Sequence, residues 1–372
     1  MAAPHPALLT LVRGDQFPAG FRVTMSVVES AAEHGLAPLL DDAAQRLDLA
    51  GDHDALVRLA MWSLGTRAYT VAATEALSAA LDTADAVGLE IAVFKGPSIG
   101  LRWYPRQELR PAVDIDVFVK PSQIQLLGTY VDALDSSPEA RDAIDAMVET
   151  GRVFEHTVKV QGVTFDVHVD PMNLVVRSRQ DQLVWARTQS IFMPTGRQVR
   201  ALDLELSIVN SLLNAFRDNF ADLLHIYDIA LMLEHDPDWE FIAEFAETEG
   251  WTDLVRVSLG FVCDVLQIPS PLPRATSLST KIILAAIWPN RILGKGDHSL
   301  VTSFRRQSLA SLLIAGRRLT VTRALLQRLF PERAVIDLRF PDSTGSYPAA
   351  LYQWRMEQRR RSQELRHQMI DR

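Results

Sequence analysis

Asp114 and Asp116 stand two residues apart in the run DIDVFV, with Ile115 between them and Val117-Phe118-Val119 behind. Successive side chains of a strand point to opposite faces, so both carboxylates would share one face, about 6.5–7 Å apart along the chain. Like charges on one face of a buried strand repel, and each loses its hydration. A divalent cation would offset both costs. Mg²⁺ takes hard oxygen ligands and is commonly held by one or two carboxylates together with phosphate oxygens and water. An edge strand showing solvated acids would meet the same pattern. Further along, TFDVHVD alternates, with Asp166, His168 and Asp170 on one face and Phe165, Val167 and Val169 on the other. If this run neighbours DIDVFV, a third carboxylate can approach the first two. Two acids that hold metal, and a third that binds metal or takes a proton from a hydroxyl, form the arrangement that two-metal phosphoryl transfer requires. Asp166 is the candidate for that third place. His168 reads equally as a hydrogen-bonded structural histidine or a substrate contact. Asp170, before Pro171, reads as a turn residue.

Anion-binding chemistry is sought upstream, in FKGPS. Gly96 allows backbone to approach a phosphate closely, and the free N–H groups at a helix start favour anions. Lys95 would add a charge and Ser98 a hydroxyl. The stretch is not a Walker A loop, and the chain has no G-x-G-x-x-G. Arg110, four residues before the first acid, would either neutralise a triphosphate or pair with Asp114. Trp103 and Tyr104 follow the KG turn closely enough to stack on a base, although packing into the core is the default for both.

These residues need elements to position them. The first 86 residues carry apolar spacings of three and four, which predict helices. The long Ala/Leu-rich run from Asp52 ends at Gly88, a common stop, with room for one break on the way. The pattern then changes. LEIAVFKG predicts a strand, PSIGLRWY a helix with Pro97 in its first turn, DIDVFV a second strand, and PSQIQLLGTYVDALDSS a second helix. RVFEHTVKVQGVTFDVHVD alternates, turns at Gln161-Gly162 and alternates again, the signature of a hairpin. An α/β core over 87–200 is therefore expected between an N-terminal helical region, 1–86, and a C-terminal helical domain, 201–372. Asp238 is placed to cap WEFIAEFA. Further helices are expected in TKIILAAIW, in SLASLLIAGRRLTVTRALLQRLF and in the arginine-rich tail, whose interspersed acids read as a solvated face.

Bulk properties narrow the class. The 372 residues carry a formal net charge of −8, which argues against a chain-wide grip on nucleic acid. One cysteine, Cys263, rules out an internal disulfide and any multi-cysteine metal site. The N-terminal stretch lacks the pattern of a signal peptide, and no apolar run approaches the ~18 residues of a membrane span. A cytoplasmic location without membrane contact is the expectation.

The ordered set Lys95-Gly96, Tyr104-Pro105, Arg110, Asp114-Ile115-Asp116 and Asp166-Val167-His168 resembles the uncharacterised nucleotidyltransferase-like family within the polymerase-β-type nucleotidyltransferase superfamily. The helical segments AAEHGLAPLL and YDIALML…DWEFIAEFAETEG, and the late LFPERAVIDLRF, resemble those of the family too. The resemblance implies an α+β fold, a mixed sheet with helices on it. It also implies Mg²⁺ or Mn²⁺ on Asp114 and Asp116, with Asp166 as third carboxylate. Lys95, Gly96, Ser98 and Arg110 would contact an NTP donor, while His168 and Tyr104 would be weaker substrate contacts. The implied activity is transfer of a nucleoside monophosphate to a hydroxyl or phosphate of a small-molecule, peptide or protein acceptor. Transfer of another phosphate-linked group, such as a sugar from a nucleotide sugar, and a non-catalytic nucleotide-binding or regulatory role are the alternatives. Two departures stand out: Lys95-Gly96 occupies the place of the superfamily's Gly-Ser, and Asn214 that of a histidine found in relatives.

Overall fold

The computed structural model describes residues 4–135, 155–172, 178–218 and 220–277, with 346–349, 351–352 and 356 besides. The basic tail from 357 and the helices expected between 278 and 345 lie outside the described residues. Three short helices, α1 (Pro6–Arg13), α2 (Met25–Glu33) and α3 (Ala37–Arg46), lead into α4 (His53–Val87). The 35 residues of α4 run unbroken, passing through Gly65, so the break allowed for above is absent. A mid-helix glycine costs about 1 kcal/mol relative to alanine, which the long run of Ala and Leu on either side outweighs. The helix stops at Gly88, whose φ of 73° is the left-handed conformation a glycine cap supplies without strain.

The sheet has six strands: β1 (Ile91–Phe94), β2 (Ile115–Val119), β3 (Glu155–Val160), β4 (Val163–His168), β5 (Thr188–Phe192) and β6 (Gln198–Leu202). Their spatial order is β3-β4-β2-β1-β6-β5. The pairs β2–β4 and β1–β6 are parallel, the other three antiparallel. β2 lies inside the sheet, which disposes of the edge-strand explanation for its acids. The β3–β4 hairpin turns at Gln161 (φ 51°) and Gly162 (φ 84°), as its sequence predicts. The β5–β6 hairpin was not anticipated. Its strand β6 runs to Leu202, and the next helix starts only at Leu204, capped by Asp203 accepting from the Leu206 N–H.

Alternation along the strands feeds two cores. Ile91, Val93, Ile115, Val117, Phe165 and Val167 pack against the C-terminal half of α4, through Ala76, Leu77 and Ala80, and against α6 (Leu127–Asp135). The opposite face contributes Ala92, Phe94 and Phe118 to a core shared with the helices that follow the sheet. These are α8 (Leu204–Arg217), α9 (Leu223–Leu233), α10 (Trp239–Glu249) and α11 (Thr252–Leu266). Two helices complete the set: α5 (Gly96–Trp103), after β1, and α7 (Asp181–Ala186), before β5. Asp238 caps α10 by accepting from the Phe241 N–H. Cys263 is buried on α11, a small hydrophobe with no thiol partner among the described residues. Among those residues no helix is long and apolar enough to cross a membrane.

Candidate active site

The apolar partners of Asp116 and Asp166 decide where the carboxylates go. Ile115 and Val117 on β2, and Phe165 and Val167 on β4, enter the α4-side core, so the alternating acids turn to the other face. β2 and β4 are adjacent and parallel, with Asp116 opposite Asp166 and Phe118 opposite His168. Neighbouring strands lie about 4.8 Å apart, so the two aspartates stand side by side. Asp114, just before β2, completes a group of three carboxylates drawn from two strands. It is half-buried, and its pKa is pushed up to about 6, first by desolvation and then by the charges of Asp116 and Asp166.

Asp116 is 5% exposed. Burial alone would raise its pKa. Lys95 and His168 outweigh that and hold it down at about 2. Lys95 Nζ donates to Asp116 Oδ1 at 2.6 Å, and His168 Nε2 lies 2.9 Å from the same oxygen. The His168 ring stands edge-on to Phe94, with centroids 4.9 Å apart. Thr157, opposite Asp166 on β3, donates its hydroxyl to Asp166 Oδ1 at 2.7 Å. Thr157 was not foreseen, although the alternation of EHTVKV puts it on that face. Asp170 is a turn residue, accepting from the N–H groups of Met172 and Ser178.

Lys95 also holds a rare backbone conformation, with φ 53° and ψ −132°. Such conformations cost a non-glycine residue about 1–3 kcal/mol and persist where surrounding structure over-determines them. Here the ion pair to Asp116 and the α5 helix that follows fix it. Gly96 opens α5, and a Cβ built on it would lie 2.8 Å from Arg110 Nη1. Glycine is thus required by the guanidinium pressed against the turn. Ser98, 1% exposed in the first turn of α5, has an Oγ with no hydrogen-bond partner among the described residues.

Arg110 pairs with a carboxylate other than the expected Asp114. Its Nε and Nη2 donate to the two carboxylate oxygens of Asp228 on α9, the latter at 2.7 Å, and the side chains are 7% and 2% exposed. Burial works against the Arg110 charge, and Asp228 more than offsets it. It is therefore paired with Asp228 and not with Asp114. Tyr104 donates its hydroxyl to Asp228 Oδ1 at 2.7 Å, and burial raises its pKa well above the ordinary phenol value. Its ring packs edge-on against Tyr227 rather than offering a stacking face. Trp103 is covered by the Arg102 guanidinium, 4.2 Å from its ring centroid. Asn214, in the place of the relatives' histidine, donates to Asn210 Oδ1, which in turn donates through Nδ2 to the Pro171 carbonyl. A small cleft opens between Thr70 and Thr74 of α4 and Gly96, Gly100 and Arg110, and the three acids are not among its walls.

As the side chains stand, no three His, Cys, Asp or Glu residues among those described converge tightly enough to hold a metal ion. The reason is local: Asp116 is turned to Lys95 and His168, and Asp166 to Thr157. The donor set itself fits a hard divalent cation. Carboxylate oxygens are the hard donors such a cation takes, and the Asp114 pKa is raised first by desolvation and then by the charges of Asp116 and Asp166.

A mixed sheet, covered by helices and carrying one acid on an interior strand, a second just before that strand and a third on its parallel neighbour, is the architecture of a nucleotidyltransferase-like fold. Residues 25–267 match the model of the uncharacterised nucleotidyltransferase family, about two thirds of the chain, and the chain belongs to that family. No curated protein and no solved structure matches it.

Proposed function

We propose that the chain transfers a nucleoside monophosphate from an NTP to a hydroxyl or phosphate of a small-molecule, peptide or protein acceptor. The family supports nucleotidyltransferase chemistry in general terms. The observation that supports the finer reading is the register that sets Asp166 beside Asp116, with Asp114 near enough to feel the charge of both. Asp114, Asp116 and Asp166 would hold Mg²⁺ or Mn²⁺, which supplies charge neutralisation on the triphosphate and on the oxygens that enter and leave.

The chain's own groups do the rest. Lys95 Nζ, now on Asp116, would exchange that carboxylate for an incoming phosphate oxygen. The N–H groups that open α5 and the unpartnered Ser98 Oγ add neutral donors to the same anion, the role a helix start performs well. Asp166, oriented by the hydrogen bond from Thr157 Oγ1, would accept the proton of an acceptor hydroxyl. Phe94 and Phe118 floor the site and exclude water below Asp116. Arg110 acts from behind the turn, through Gly96.

One observation favours a second reading, a regulatory protein that binds nucleotide without turning it over. Lys95 and Asp116 neutralise each other, and Arg110 is committed to Asp228. Titration calorimetry of NTP, with and without Mg²⁺, on the wild type and Asp116→Asn separates the two. The transferase reading expects Mg²⁺-dependent binding that Asp116→Asn abolishes, followed by a mass increase of one nucleotide on an acceptor in labelled extracts. Nucleotide binding that ignores both Mg²⁺ and the substitution would overturn it.

A further inference from the structure

The N-terminal half of α4 carries a surface the candidate site does not use. Val57, Met61, Leu64, Ala68 and Val71 follow one another at spacings of four, three, four and three. Val57, Met61, Leu64 and Val71 are 46%, 62%, 67% and 60% exposed. Ala60, Gly65 and Ala72 beside them are exposed too. The opposite side of the same helix buries Ala55, Leu59 and Ser63. From Val57 to Ala72 the stripe is about 24 Å long at the helical rise. Its 3.5-residue period is that of a two-helix seam, and contiguous exposed apolar faces of this kind mark interaction surfaces.

Charge selects the occupant. Arg58 borders the stripe at one end and the exposed Glu75 borders it at the other, and neither forms an ion pair among the described residues. Arg67, the other charge in the span, is half-buried with its Nε enclosed by its own chain, so it does not stand in the seam. A second copy of α4, laid antiparallel about a two-fold axis beside Thr66, sets Met61 against Val71 and Leu64 against Ala68, each twice. The large side chains meet small ones, with Gly65 giving Leu64 room. The same placement brings Arg58 of each copy to the Glu75 end of the other. A parallel copy would instead stack Arg58 on Arg58 and Glu75 on Glu75. An isologous two-fold contact is also the commonest way that identical chains associate.

We infer that α4 is the seam of an antiparallel, two-fold homodimer, built on Met61, Leu64, Ala68 and Val71 and keyed by Arg58–Glu75 pairs between copies. Both sites would then lie on one assembly, since the C-terminal half of each α4 backs the sheet that carries the acids.

Sedimentation equilibrium of the full chain is expected to give twice the 41.5 kDa chain mass. Leu64→Glu should return the mass of one chain with an unchanged circular dichroism spectrum, because the side chain is exposed in the protomer. Arg58→Glu and Glu75→Arg should each weaken the dimer about tenfold, since two pairs are lost and like charges meet. The double variant should recover to within about twofold of wild type. Three outcomes would overturn the inference. The first is a single-chain mass for the wild type, as when residues 278–345 of the same chain cover the stripe. The second is a dimer untouched by Leu64→Glu. The third is single charge variants that the double variant does not rescue, which would exclude the antiparallel pairing.

Discussion

Removing a charge from the acid cluster is expected to stabilise the metal-free protein. Asp114 titrates at about 6 in the fold against an ordinary 3.8, because it is desolvated and faces Asp116 and Asp166. Its ionised form is thus disfavoured by folding. Below pH 3.8 it is protonated in both the folded and unfolded chains, and it costs nothing. Between 3.8 and 6 the unfolded chain ionises first, so stability falls as pH rises. Above 6 the full cost is present. Two pKa units at about 1.4 kcal/mol each set an upper bound of about 3 kcal/mol. Asp114 is partly open to solvent, which screens its neighbours, so about 1–2 kcal/mol is expected. Asp114→Asn should therefore unfold at higher urea than wild type at pH 7.5 in EDTA, and the gain should shrink to a fraction of that by pH 4. Mg²⁺ should reverse the order at pH 7.5, stabilising wild type by mass action and leaving the variant where it was. The reasoning fails if Asp114→Asn is no more stable than wild type at pH 7.5 without metal, or if its gain is the same at both pH values.

Lys95→Ala should act at the acid end. The lowered pKa of Asp116 contributes stability that is present above pH 3.8 and lost as pH falls through 2, and Lys95 is the largest force holding it down. Leaving a buried carboxylate with His168 alone should cost about 3 kcal/mol at pH 7 and move the acid-unfolding midpoint upward, both read by circular dichroism. Lys95→Gly should lose less than Lys95→Ala by about 1 kcal/mol, since glycine relieves the backbone strain at φ 53°. Asp228→Asn should cost about 3–5 kcal/mol in denaturant unfolding by stranding the Arg110 charge, whereas Tyr104→Phe should cost only about 1 kcal/mol. Gly96→Ala should cost about 1–3 kcal/mol, because its Cβ meets Arg110 Nη1 at 2.8 Å, and Arg110→Ala in the same chain should remove that steric part.

Alternation made the faces of DIDVFV and TFDVHVD legible without a structure, because the apolar member of each pair names the side that goes into the core. Strand adjacency was not legible in the same way. β2 and β4 are parallel, so the chain between them must cross over, and nothing in either run specifies which strand the second will join. Arg110 shows the same limit more sharply. The guanidinium has acids close by in sequence, Asp114 and Asp116, but its partner is Asp228, 118 residues away on a helix that only packing brings near. The β5–β6 hairpin was missed for a different reason. Its strands are short, and β5 shows three exposed positions of five, so no apolar rhythm marks it; the turn glycine, Gly196 at φ 81°, was the available signal.

The Arg110–Asp228 pair ties two features that look separate in the sequence. Asp228 lies on α9, in the helical region after the sheet, and Tyr104 and Arg110 lie in the segment between α5 and β2. The guanidinium that Asp228 holds is the surface against which Gly96 closes, and Gly96 follows directly on Lys95, whose ammonium sits on Asp116. A chain of direct contacts therefore runs from the helical region to the carboxylate at the centre of the site. An arginine that reached for phosphate would have to leave a bidentate, almost fully buried carboxylate, at a cost of several kcal/mol. Held where it is, it sets the shape of the turn instead. On the proposed function the positive charge for a nucleotide would then come from Lys95, and turning Lys95 outward would release Asp116, the residue the cation would need.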